Sequence, residues 1–205
     1  MQTVPKKSRK DTAERILDAA EDLFAQKGYS ATSLGDVADA VGIRSPSLYN
    51  HFRNKEALYG AVLERLLVAF AAPLAELDEG TISKTRIFGW LETIVRMHHE
   101  RPNLARLLQH AALSGGPQTN ELIERLFSPM FDTQRPVQML SSELGGEELR
   151  PWAVMALNNM VMSYITMAPM YRDLLGEDPF SPEALEKQLT LILKLAHLAL
   201  DSEGE

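Results

Sequence analysis

The sequence predicts an all-α fold of about nine helices, an N-terminal three-helix helix-turn-helix domain followed by a larger helical bundle. Three observations carry this. Apolar residues recur at helical spacing nearly throughout, as in Ile16, Leu17, Ala20, Leu23 and Phe24. No run shows the clean alternation, β-branched enrichment and hairpin turns of a sheet. Glycine and proline punctuate the helical runs at Gly28, Gly42, Gly115-Gly116-Pro117, Gly145-Gly146 and Gly176.

Taken in order, Asp11 and Glu14 have capping-box spacing, and Gly28 suits a C-cap, so the first helix is expected over 12–27. Ser33 and Asp36 repeat that spacing ahead of Leu34, Val37, Ala38 and Val41, a two-turn helix ending at Gly42. Ser45 as N-cap and Pro46 at the first helical position begin a third, carrying Leu48, Tyr49 and Phe52. Asn54 caps a fourth that runs through Leu58, Val62, Leu66, Ala69 and Phe70 to about Leu77, with Pro73 near its end. Further helices are expected near 81–99, 103–113, 120–144, 151–175 and 181–200. Pro129 and Pro136 kink or break the 120–144 segment.

Composition narrows the functional classes. The chain has 205 residues, 45% of them apolar, enough for a core without covalent staples. It has no cysteine, which excludes disulfides and thiolate metal sites and fits the cytosol. The polar, basic N-terminus has no apolar run after it, and reads as a flexible arm rather than a signal peptide or anchor. The net charge of −7 opposes nucleic acid overall, but it is divided unevenly. Residues 1–55 carry +2 and residues 56–205 carry −9. A DNA contact therefore belongs to the N-terminal quarter, where Lys6, Lys7, Arg9 and Lys10 form either part of it or a solubilising tail.

Two short helices separated by a glycine turn can place a helix in a DNA major groove. Ala38 allows close approach, Gly42 can take φ > 0, and Val37, Val41, Ile43 and Leu48 supply a shared core. A helix pair in any α-bundle shares part of this pattern, so spacing alone leaves a DNA reader and a structural pair both open.

The run TSLGDVADAVGIRSPSLYNHFRNKEALY (32–59), with the preceding AERILDAAEDLFAQKGY, resembles the DNA-binding segment of the TetR (tetracycline-repressor-like) family of transcriptional regulators. The combination of Thr32, Ala38, Gly42, Leu48, Tyr49, His51, Phe52, Lys55 and Leu58 carries the resemblance. It implies phosphate contacts from Thr32, Tyr49, His51 and Lys55, since hydroxyls, imidazole N–H and ammonium all donate to phosphate oxygens. Base readout then falls to Arg44, Ser45, Pro46, Ser47 and Asn50. Arg44 and Pro46 depart from the small residues common in the family, so no operator sequence carries over. The resemblance also implies a DNA-binding domain at 1–56, a ligand-binding and dimerisation domain at 57–205, and a prokaryotic cytoplasm. The implied partners are double-stranded operator DNA, a small-molecule effector and a second copy of the chain.

From Trp152 to Met170 the chain is apolar on every helical face except at Asn158, Asn159, Ser163 and Thr166, which requires burial on all sides. Two central asparagines and the lack of a basic flank argue against a membrane span. A homodimer built from 152–175 and 181–200 covers both faces. Met155, Met160, Met162, Met167 and Met170 serve either a core or an adaptable binding surface. Trp90, Phe127, Phe131, Asn159 and Tyr164 are the expected lining of a largely apolar effector pocket. His98 and His99 point about 100° apart on a helix and cannot chelate one ion together. With no GxSxG, HExxH, phosphate-cradling loop or carboxylate pair, neither an enzyme nor a cofactor or metal site is expected. The reading is a ligand-responsive repressor; the alternative is an all-helical dimeric ligand-binding or interaction protein with no role at DNA.

Overall fold

The structure is a computed structural model and describes residues 9–78, 83–114, 117, 120, 124, 125, 128 and 146–200. Nine helices lie among the described residues, α1 (Arg9–Ala31), α2 (Leu34–Val41), α3 (Ser45–Tyr49), α4 (Lys55–Asp78), α5 (Lys84–Glu100), α6 (Pro102–Ser114), α7 (Gly146–Thr166), α8 (Ala168–Leu175) and α9 (Pro182–Leu200). The expected basic arm at Lys6 and Lys7 and nearly all of the expected helix over 120–144, with Phe127 and Phe131, lie outside the described residues.

The chain packs as two units. The first holds the described residues up to Leu66 together with Arg106 and those after it as far as residue 117; the second holds the described residues within 67–105 and 120–200. The expectation placed a boundary at 56/57 by role. Packing places the first half of α4 with the N-terminal helices because Leu58, Val62 and Leu66 are fully buried in their shared core. Helices α4 and α6 each contribute residues to both units.

In the first unit, Ile16, Ala20 and Phe24 of α1 are buried at helical spacing alongside Val37, Leu48 and Tyr59. Phe24 meets the Tyr59 ring edge-on at 5.0 Å between centroids, and Tyr29 lies 4.9 Å from Tyr59. Helix α1 starts earlier than expected, so Asp11 sits within its first turn, where a carboxylate suits the helix dipole, rather than capping it. Gly28 breaks the helical backbone at φ 78°, ψ 170°. A Cβ there would also stand 3.1 Å from His110 Nδ1 on α6, so the backbone favours glycine and a side chain would press on that ring. Arg65 of α4 binds the acidic row of α1: Nη1 donates to Asp18 at 2.6 Å and Nη2 to Glu21, with Glu14 3.9 Å away. Burial works against the guanidinium's charge, but the Glu21 and Asp18 hydrogen bonds outweigh it and hold it protonated above its ordinary range.

In the second unit, Val95 of α5, Val161 of α7 and Leu189 and Ile192 of α9 form a buried cluster, with Leu157, Met160 and Leu185 packed against it. Helix α5 is capped by Ser83, whose Oγ accepts from the Arg86 N–H at 3.3 Å. Ser181 caps α9 by accepting from the Ala184 N–H at 3.1 Å, as its residue type predicts. The expected single helix over 151–175 is two. It breaks at Met167 because Pro169 has no N–H to continue the ladder, and α8 restarts with that proline in its first turn. No helix among the described residues is long and apolar enough to cross a membrane.

His98 and His99 diverge on α5. His98 is buried and its Nδ1–H donates to the Ile94 carbonyl at 2.8 Å, while His99 faces Tyr164 and Phe180, with ring centroids at 5.8 and 5.6 Å. Burial pushes the His98 pKa below its ordinary 6.5. The folded state therefore binds a proton less readily than the unfolded chain, so stability is retained above pH 6.5 and lost as pH falls below it. Urea unfolding at pH 7 and pH 5 should show a smaller loss for His98→Phe than for the parent chain; equal losses would assign the effect elsewhere.

Candidate nucleic-acid interface

The interface begins with two helix ends made by short-range chemistry. At the start of α2, the Asp36 N–H donates to Ser33 Oγ at 3.1 Å and the Ser33 N–H returns to Asp36 Oδ2 at 2.9 Å, a reciprocal cap. The backbone N–H and hydroxyl of Ser33 hold the Asp36 carboxyl below its usual range. At its end, Gly42 adopts the left-handed conformation (φ 72°, ψ 39°), and the Ile43 N–H reaches back to the Ala38 carbonyl at 2.9 Å. Arg15 of α1 closes the same end with a 2.6 Å hydrogen bond to the Val41 carbonyl.

This turn delivers α3, five residues long and anchored by Leu48, which is fully buried. Removing a leucine side chain from water is worth about 1.5–3 kcal/mol, enough to fix which face of so short a helix turns inward. The opposite face is open. Arg44, Ser45, Pro46 and Asn50 are exposed, Tyr49 is 55% exposed, and Ser47 and His51 are half-buried. The cap is shifted from the expected position: Arg44 is the extended N-cap residue, without a side-chain cap, so Ser45 is the first helical residue and Pro46 the second. Phe52 follows α3 rather than belonging to it.

Two expected phosphate contacts are placed differently. Thr32 is only 2% exposed, and its hydroxyl lies 2.9 Å from the Gly28 carbonyl and 3.2 Å from that of Leu23. Lys55 Nζ donates to the carbonyls of Tyr29 and Thr32 at 2.9 and 3.0 Å, with that of Ser30 at 3.4 Å. It also stands 4.3 Å from the centroid of the Tyr29 ring. Both side chains secure the corner between α1 and α2, because the chain leaves the Gly28 break with carbonyls that no helix satisfies. The sequence reading also missed Arg15 and Arg65 as fasteners, although Glu14, Asp18 and Glu21 share one face of α1 and signalled a basic partner.

In the second unit, a cleft of about 600 Å³ lies between α7, α8, the loop before α9, and α9. Of the expected effector-pocket residues, Asn159 and Tyr164 line it; Trp90 is buried on α5 and is not among its lining residues. Tyr171, Lys187 and Gln188, unforeseen from sequence, also line it. The Lys187 ammonium is paired with Glu177 at 2.7 Å.

Residues 16–62 match the sequence model of bacterial regulatory proteins of the tetR family. The HTH-type transcriptional repressor ComR of Escherichia coli K12 is 50% identical over 68 residues, 33% of this chain and 31% of that protein. The HTH-type transcriptional regulator RutR of the same strain is 33% identical over 119 residues, 57% of this chain and 56% of that one. The match thus spans from under a third to just over half the length of these relatives. Among solved structures, a TetR-like transcriptional regulator from Rhodococcus sp. RHA1 superposes with a TM-score of 0.68 at 18% identity. That match covers 97% of this chain and 100% of that one, and at such identity the likeness is one of fold.

Thr32→Val and Lys55→Met should each lower unfolding free energy by about 1–3 kcal/mol, each removing a side-chain donor from carbonyls of the α1–α2 corner. Tyr49→Phe should leave it unchanged. Thermal unfolding of the three variants checks this, and unaltered stability of the first two would return those side chains to a DNA-contact role.

Proposed function

Because the chain belongs to the TetR family of transcriptional regulators, we propose that it is a homodimeric repressor. In this reading it binds pseudo-palindromic operator DNA and is released by a small, largely apolar effector. The observation that carries the proposal is the outward face of α3. Leu48 pins the helix from beneath while Arg44, Ser45, Pro46, Tyr49 and Asn50 stand in solvent without serving the core. Such a face fits the division of labour at DNA, in which hydroxyls and cations locate the backbone and side-chain amides and guanidinium read base edges. Arg44, Ser45, Pro46, Ser47 and Asn50 read bases; Tyr49 and His51 hold phosphates; Thr32 and Lys55 act by fixing the corner that aims α3.

Dimerisation is supported by apolar side chains that the chain leaves in water. Leu191, Leu195 and Leu198 of α9 are 56%, 44% and 70% exposed and fall on one helical face, and Trp152 and Met155 of α7 are exposed one turn apart. A second copy presenting the same surface covers them by two-fold symmetry. Leu189, on the other side of α9, belongs to the interior cluster, and Met160 packs against it. The effector reading is supported by the cleft beside Asn159 and Tyr164, and in this reading α4, which contributes residues to both units, carries the effect to the DNA-reading unit.

Fluorescence anisotropy with duplexes from upstream of the coding region tests this reading. The parent chain should bind one duplex selectively. Tyr49→Phe should weaken every duplex alike, and Ser47→Ala or Asn50→Ala should alter sequence preference by about 1–3 kcal/mol per lost base contact. Leu195→Glu should stay folded, sediment near the monomer mass of 22.9 kDa and lose high-affinity binding. A parent chain that is monomeric, or that binds all duplexes equally, would leave the interaction-protein alternative.

A further inference from the structure

The cleft between α7, α8 and α9 has an unusual floor. Gln188 lines it and is only 7% exposed; its Oε1 and Nε2 are both shut off from water and have no hydrogen-bond partner among the described residues. The residue stands on the apolar stripe of α9, between Leu185 and Ile192, where packing alone calls for a leucine. On the facing helix, His99 Nε2 is likewise buried and unpartnered. The antiparallel register of α5 and α9 is set by Arg96 against Glu186 at 3.1 Å and Phe88 against His197 at 4.0 Å between centroids. That register brings His99 level with about residues 183–186, short of Gln188, and His99 is not among the residues that line the cleft. Buried polar groups in native proteins have partners, so the two orphaned atoms of Gln188 at the floor of the cleft call for something that supplies them.

The chemistry of the supplier follows from the walls. Met160, Leu175, Leu191 and Ile192 are apolar, and Tyr164 and Tyr171 add ring surface. The charges nearby are already matched: Lys187 holds Glu177 at 2.7 Å and Arg172 holds Asp178 at 2.9 Å. Burial pushes the His99 pKa below 6.5, leaving a neutral imidazole. No net charge is offered to an ionic ligand, whereas a carboxamide offers one acceptor and one donor side by side.

We propose that this cleft binds a neutral small molecule carrying a lactam or primary-amide edge on an apolar ring-sized body, paired edge to edge with the Gln188 carboxamide. The assignment rests on the effector reading above and names the ligand class for it. The Gln188 amide is closed to water, so pairing requires its side chain to turn by one staggered rotamer toward the cleft. A ligand there lies against α7 and α9, the helices that carry the exposed apolar row, and so bears on how two copies meet.

The test uses the full chain with 3,4-dihydroquinolin-2(1H)-one and its N-methyl derivative, which keeps the body and the carbonyl but lacks the donor. Calorimetry should detect the lactam, with the N-methyl compound at least tenfold weaker. Lactam binding should fall at least tenfold in Gln188→Leu, whose unfolding midpoint is no lower than the parent's and whose dimer dissociation constant stays within twofold of it. The side-chain amide resonances of Gln188 should move on titration of the parent chain. Equal binding of the two compounds, undiminished binding by Gln188→Leu, or no heat up to the solubility limit would overturn the proposal. So would a tenfold weaker dimer in Gln188→Leu, which would mean that a second copy supplies the partner. Operator affinity measured on the same samples separates the two readings: lactam binding without operator binding would sink the repressor reading alone, and operator binding without lactam binding would sink this one alone.

Discussion

The corner at Gly28 is the constraint on which the DNA-reading unit depends. A positive φ ends the helical run of α1, the Thr32 hydroxyl faces the Gly28 carbonyl at 2.9 Å, and Lys55 reaches across from α4 to the carbonyls of Tyr29 and Thr32. These contacts fix the direction in which α2 departs. With that direction set, Val37 and Val41 face α1, Arg15 can reach the Val41 carbonyl, and the Gly42 turn seats Leu48 and holds the polar face of α3 outward. Any other residue at position 28 meets both an unfavourable backbone and the imidazole of His110.

That imidazole gives α6 a place in the account. The residues from Arg106 onward pack with the DNA-reading unit, whereas Pro102–Ala105 pack with the other, and α4 is shared in the same way, with its change at Leu66. In the proposed function these two helices are the ones that belong to both units. The shift in operator affinity is bounded by the difference in effector affinity between the two arrangements, typically about 1–3 kcal/mol.

The features legible in the sequence are those decided within a few residues. The Ser33–Asp36 cap, the Gly42 turn, the Asn54 cap and the apolar spacing of α1 each follow from residue type and offset, and each is found where it was expected. The break between α7 and α8 was equally local, because Pro169 carries it. The intramolecular partners of Thr32 and Lys55 were not legible, since a hydroxyl or ammonium announces a donor while its acceptor depends on where a distant turn sends its carbonyls. On α9 periodicity could not separate Leu189 from Leu191, because both faces of that helix are apolar and only packing against Val95 and Val161 shows which is inner. Gln188 was overlooked for the opposite reason, as one polar residue within an apolar stripe whose unpaired amide only coordinates reveal.

The central claim is that two copies of one short helix read one face of DNA. Hydroxyl-radical footprinting of the upstream duplex by the full chain tests it most directly. The account predicts two protected patches of equal extent, related by two-fold symmetry and centred about 34–36 Å apart or a multiple of it. A single patch, or uniform protection without boundaries, would contradict it.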